Sequence, residues 1–199
     1  MLTTTLLFYM KNSNSKGKLI MILGAPASGK STLASEVHTE LKKKNKNSIF
    51  ISEVATDFIA EYGIPNTPID QLTIFYKQSA RENMFIGSKE FIICDSSGIL
   101  NYFYFRKLFT PPLSQKDIAT INHLQKEILK SLSKWSHIFY VPPIPTKTDD
   151  GIRYQNAKQI EDLDSWIKSY LQMENISHTD LSQIDYKKRQ DAVLKQILK

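Results

Sequence analysis

The chain has 199 residues, 41% of them hydrophobic, enough to bury one core, and a single compact domain is the expectation. A formal net charge of +6 and a pI near 9.2 suit an anionic partner, a nucleotide in a basic cleft as readily as nucleic acid, and charge alone does not choose between them. The lone cysteine, Cys94, excludes an internal disulfide framework and predicts a reducing, cytoplasmic setting; inside the apolar run 91–94 it reads as a small core residue, not a nucleophile.

Residues 1–10 are apolar but too short to span a bilayer, and they lack a charged leading region and a small-residue cleavage site. With the polar stretch 11–16 they form an N-terminal appendage and linker over 1–17, ahead of a domain over 18–199, and no membrane partner is expected. Residues 18–23 read as a buried strand, and the next eight spell Gly24-Ala25-Pro26-Ala27-Ser28-Gly29-Lys30-Ser31, a G-x-x-x-x-G-K-S loop. A helix over 32–44 follows, with Leu33, Val37 and Leu41 on one apolar face. Strand, glycine loop and helix in this order are what a phosphate cradle requires: the loop turns backbone N–H groups inward at a helix N-terminus. Gly24, Ala27, Ser28, Gly29, Lys30, Ser31 and Thr32 are the expected nucleotide contacts, Lys30 reaching the β/γ-phosphates and the Ser31 hydroxyl holding Mg²⁺. The basic run 42–46 ends the helix, where cations suit the macrodipole and solvent.

A second strand over 48–52 delivers Glu53 to the carboxyl end of the sheet, where ligands bind in open parallel sheets. Helical patterns over 54–62 and 69–86 are separated by the breaker Gly63-Ile64-Pro65-Asn66-Thr67-Pro68. An almost wholly apolar strand over 90–95 ends in Asp95, the pattern of a buried strand presenting an acid to Mg²⁺ or its bound water. Ser96-Ser97 begins a helix over 98–108, Pro111-Pro112 stops it, and a helix over 114–134 leads to a strand over 137–141. The polar segment 146–156 carries Arg153, which would neutralise a transferring phosphoryl group on closure, or pair with Asp149 or Asp150 as a surface loop. A helix over 157–171, a short strand over 176–181 and a helix over 186–198 complete an α/β alternation with a mainly parallel sheet.

The loop 24–32, Glu53 in Ser52-Glu53-Val54-Ala55-Thr56-Asp57-Phe58-Ile59, Asp95-Ser96-Ser97 and Asp149-Asp150-Gly151-Ile152-Arg153 together resemble the P-loop kinase family that includes the ribosylnicotinamide kinase domain of NAD-salvage proteins. The resemblance implies a P-loop NTPase three-layer sandwich: a mainly parallel five-stranded sheet, flanking helices and a small lid around 142–156. It implies ATP and Mg²⁺ as cofactors, with Lys30, Glu53, Asp95 and Arg153 catalytic and Ser31 and Asp95 on the metal. Glu53 matches the acid that contacts the acceptor hydroxyl, and Asp57, Gln78 and Arg81 fall on the substrate side. The chain departs from the pattern at Asp57, where relatives often carry Arg, and at Ser96-Ser97, where the salvage kinases usually have a Thr-rich segment. The expected activity is ATP-dependent phosphorylation of a small nucleoside-like hydroxyl. A nucleotide or polynucleotide 5′-kinase, with nucleic acid as partner, and a nucleotide-dependent switch ATPase are the alternatives.

Overall fold

Apolar residues occupy every position of the first strand after its leading lysine, and their alternation divides the core in two. In the structure, a computed structural model that describes residues 17–108, 113–144 and 157–199, β1 (Lys18–Leu23) sends Ile20 and Ile22 to one face and Met21 and Leu23 to the other. On the first face, α1 (Lys30–Lys43) lays down Leu33, Val37 and Leu41, joined by Val193, Leu194 and Ile197 of a C-terminal helix, α7 (Arg189–Ile197). Fully burying one such aliphatic side chain stabilises the fold by about 1.5–3 kcal/mol, so this two-helix layer is strongly fastened to the sheet.

The second face is covered by α3 (Pro68–Met84), α4 (Gly98–Leu108), α5 (Gln115–Ser131) and α6 (Ala157–Met173), whose aliphatic side chains pack with Phe75, Tyr102, Phe103, Phe105 and Tyr170 in the larger core. The remaining elements are β2 (Ser48–Ile51), α2 (Val54–Tyr62), β3 (Phe91–Asp95), β4 (Trp135–Tyr140) and β5 (Thr179–Asp180). All strand pairs are parallel and the five-stranded order is β2-β3-β1-β4-β5. After β1 the chain crosses to the edge strand β2, moves back inward to β3, and then passes β1 to build β4 and β5 on the other side. The reversal opens a crevice at the carboxyl end of β1, where an open α/β sheet binds its ligand. The architecture is therefore the expected α/β three-layer P-loop sandwich.

Several boundaries differ from the sequence expectation, each for a local reason. The helix expected over 32–44 begins two residues earlier, because Gly29 at φ 79° takes the N-cap and makes Lys30 the first helical residue. The helix expected over 114–134 has Ser114 as its cap, in a capping box with Asp117, and tightens into a 3-10 turn at Leu132–Lys134. β4 then starts at Trp135. β5 is short because Ile176 N–H folds back onto Leu171 O at 2.9 Å after α6, with Asn175 at φ 49°, which leaves only Thr179 and Asp180 to pair. The final helix opens as a 3-10 turn, Tyr186–Lys188, capped by Asp185. Of the lid expected around 142–156, residues 142–144 run on from β4, with Ile144 N–H donating to Ala27 O at 3.3 Å. Its remainder, Arg153 included, lies outside the described residues, as does the appendage over 1–16.

Candidate functional site

Between the end of β1 and the start of α1, residues 24–29 must reverse the chain tightly. Gly24 has no room for a side chain: a Cβ there would sit 2.4 Å from the Val141 carbonyl oxygen and 2.7 Å from Ser28 Oγ. Ala27 at φ 64° and Gly29 at φ 79° are left-handed, the geometry that turns successive N–H groups to the same side. No side chain caps α1, so the first-turn N–H groups are left for a ligand, with the positive end of the helix dipole behind them. The Ser28 hydroxyl is buried and also has no partner among the described residues. A loop with this many unpaired inward donors fits phosphate oxygens. Lys30 is buried at its edge, whereas Ser31 and Thr32 are exposed.

The register of the sheet brings Asp95 to this loop, because β3 runs parallel to β1 with Asp95 opposite Ile22. Asp95 is 4% exposed and its Oδ1 has no partner among the described residues. Burial raises its carboxyl above the ordinary value, while Lys30 and the Ser31 hydroxyl pull it back down. One unpaired carboxylate oxygen beside a hydroxyl and a phosphate cradle is a donor set that suits Mg²⁺, which binds through few protein ligands and mainly through phosphates. Ser31 and Asp95 would hold it.

Glu53 follows β2 and occupies the N-cap position of α2, yet its side chain makes no capping bond. That duty falls to Gln78, whose Oε1 accepts the Val54 N–H at 3.0 Å, and Glu53 is left to line the cleft. Burial raises the Glu53 carboxyl, Lys30 opposes the rise, Asp95 adds to it, and the Ser96 hydroxyl opposes it again. Ser96 stands at φ 79°, a left-handed conformation for a residue with a side chain, directly after Asp95. Lys30, Ser31, Glu53 and Asp95 thus converge from three separate elements.

The cleft has a volume of about 690 Å³ and extends from the loop past Glu53 to a wall of Ile59, Ile74, Leu100 and Tyr104. In that wall Asn101 Nδ2 donates to Gln71 Oε1 at 3.0 Å, both residues being buried. Sequence reasoning missed this amide pair. The available signal was weak: Asn101 is a lone amide within the apolar run Gly98–Phe105, and Gln71 falls on the buried face of α3. Among the described residues lining the cleft, Lys30 supplies the cation. Asp57 and Arg81, expected on the substrate side, pair with each other at 2.7 Å with both side chains substantially exposed, and neither lines the cleft. The basic run 42–46 begins at the far end of α1, about 20 Å from Lys30 at 1.5 Å per residue.

Residues 19–189 match the family described as AAA domain. No curated protein sequence matches the chain. Among solved structures, the fold is similar to that of a NadR protein in complex with NR, with a TM-score of 0.72 and 17% identity, over 98% of this chain and 58% of that one. The chain therefore spans little more than half the length of that relative. A deoxyadenosine kinase from M. mycoides with products dcmp and dcdp bound is similar at a TM-score of 0.60 and 11% identity, over 90% of this chain and 98% of that one. At these identities the likeness is one of fold.

Proposed function

We propose that this chain, which belongs to the AAA domain family over residues 19–189, transfers the γ-phosphoryl group of ATP to a hydroxyl of a small nucleoside-like acceptor, in the manner of a ribosylnicotinamide kinase. The observation that carries this reading is Glu53: an acid at a helix N-cap that does not cap, turned into the cleft within electrostatic reach of Lys30 and Asp95. Phosphoryl transfer asks for in-line positioning and charge neutralisation more than for covalent chemistry. The loop N–H groups and Lys30 bind the β/γ-phosphates. Ser31 and Asp95 would hold Mg²⁺, which would supply further neutralisation of the phosphate oxygens. Glu53 orients the acceptor hydroxyl and takes its proton as the new P–O bond forms and the bond to the ADP oxygen breaks. A raised carboxyl suits that exchange, since it lies nearer the pH at which a base must also release its proton. Arg153 would add positive charge from the lid.

The acceptor half favours a nucleoside over a nucleotide. A monophosphate or a nucleic-acid 5′ end needs its own phosphate-binding cations, and the wall beyond Glu53 offers apolar side chains and the Gln71–Asn101 amide pair. Amide edges of that kind suit the neutral donor and acceptor groups of a heterocycle. The test is a screen of the purified chain with Mg-ATP against nucleosides, mononucleotides and oligonucleotides bearing a 5′-hydroxyl, with products identified by mass. A phosphorylated nucleoside is the expected product. ATP hydrolysis with no phosphorylated product, or transfer to mononucleotides or oligonucleotides alone, overturns the reading.

A further inference from the structure

The orientation of one buried amide decides where α2 begins. Val54 N–H, the first of that helix, donates to Gln78 Oε1. A primary amide can be turned over with little change of shape, so something must keep the oxygen and not the NH₂ toward Val54. Gln78 is 4% exposed, and its Nε2 is buried with no partner in full hydrogen-bond geometry among the described residues. Four residues along the same helix face stands Glu82, 3% exposed, whose Oε2 pairs with Lys134 Nζ at 2.8 Å; its Oε1 is buried with no partner in full hydrogen-bond geometry among the described residues, and the Gln78 side chain joins Lys134 in opposing the rise that burial gives its carboxyl. Both side chains border one small cavity of about 10 Å³, space on the order of a single water, so nothing larger separates them. Lys134 is itself fixed, donating also to Ser79 Oγ and Asn83 Oδ1 at 3.3 Å each.

We propose that the Lys134–Glu82 ion pair is an orientation lock: it holds the Gln78 amide with its NH₂ toward Glu82 and its carbonyl toward Val54, and thereby positions Glu53 at the mouth of α2. A carboxylate only accepts, so it draws the donor end of the amide to its side of the cavity. The opposite orientation sets the amide oxygen against the carboxylate and two N–H donors against each other at Val54. Lys134 stabilises the ionised form of Glu82 on which the preference depends, against the burial that favours its protonation. Lys134 and Glu82 act as positioning residues through Gln78, which also lines the cleft. The kinetic consequence rests on the proposed role of Glu53 as base; the lock itself does not.

Amide exchange at Val54, followed by NMR on the full chain without ligand, reads the lock directly. Glu82→Gln is close to isosteric but can present either end to Gln78, and Val54 exchange is expected to accelerate about tenfold, the loss of one ordinary hydrogen bond. In the double variant Gln78→Glu/Glu82→Gln the acceptor at Val54 no longer depends on orientation, and protection returns to within about twofold of wild type, a rescue that simple loss of packing does not produce. Unchanged Val54 exchange in Glu82→Gln, or a double variant no better than the single, overturns the proposal. Should Glu82→Gln not fold, Lys134→Met, at a partly exposed site, carries the same expectation and the same refutation. In phosphoryl transfer, Glu82→Gln is expected to lower kcat about tenfold with KM for ATP unchanged, since only the acceptor-side acid is displaced. Faster Val54 exchange with unaltered kcat overturns the link to Glu53. A wild-type chain that phosphorylates no acceptor overturns the functional reading instead, and the exchange measurement still decides the lock.

Discussion

Lys30 is one cation facing two carboxylates, Asp95 and Glu53, and burial raises both carboxyls above their ordinary values. Asp95 pushes Glu53 further in the same direction, while Lys30 counteracts both. A carboxyl whose native pKa exceeds its unfolded value binds more protons in the folded state between the two values. Stability therefore falls as pH rises through that window, and the penalty is complete above it. Glu53→Gln removes the second negative charge and leaves Lys30 balanced by Asp95 alone. Each pKa unit relieved is worth about 1.4 kcal/mol, and in a domain of this size each kcal/mol moves the melting midpoint by about 2–4 °C. At neutral pH the variant should melt above wild type, by about 3–6 °C for each unit so relieved. The gap should close as pH falls below the ordinary glutamate value of 4.5, where the residue is protonated in both states. Phosphoryl transfer should fall by about 10²–10⁴-fold in the same samples. Nucleotide-free thermal melts from about pH 4 to about pH 8, paired with turnover, make the measurement. Parallel melting curves at every pH, or a variant less stable at neutrality, refute the argument.

Mg-ATP should raise the wild-type midpoint, by about 2.7 kcal/mol of stability at a hundred times its Kd, and Lys30→Ala should abolish most of that rise in a thermal-shift titration. Gly24→Ala should cost at least about 1–3 kcal/mol in urea denaturation, because the 2.4 Å approach to the Val141 carbonyl is to backbone and cannot be relieved by a rotamer change. Asn101→Leu should raise the acceptor KM about tenfold or more and leave the ATP KM unchanged in initial-rate kinetics, since Gln71 would lose its partner in the acceptor wall. Asp57→Asn breaks only an exposed ion pair with Arg81, so it should change stability by less than about 1 kcal/mol and the acceptor KM by less than about twofold.

The central elements were legible because local signals coincided. The β1 run 18–23, the glycine loop and the spacing of Leu33, Val37 and Leu41 each point to the same strand-loop-helix unit, and the acids at 53 and 95 come after the apolar runs 49–51 and 91–94. In a parallel sheet those strand ends fall on one edge, so chain order alone brings Glu53, Asp95 and Lys30 together. Contacts made across helices carry no such periodic signal. Gln71 and Asn101 are 30 residues apart and meet because α3 and α4 pack; Arg81 turns to Asp57 because α2 and α3 pack. The left-handed Ser96 was equally hidden, since its strain follows from the join of β3 to α4 and from no preference of serine.

Glu53 shows why an unmet local rule is informative. An acid before a helix is favoured by the dipole, and on sequence alone a capping role and a catalytic one compete for it. In the fold the cap comes from Gln78, 24 residues away, and the Glu53 carboxyl is left beside Asp95, where both acids cost stability. The Ser28 hydroxyl and Asp95 Oδ1 add two more buried groups without a partner among the described residues at the same edge of the sheet. A fold selected for stability alone would satisfy these groups from its own side chains, as it does at Ser114 and Thr67, where complete capping boxes form on surface helices. The unmet groups lie around a cradle fitted to phosphate, so on the proposed function the Mg-nucleotide would satisfy them, and the stability they withhold from the free protein would be returned on binding.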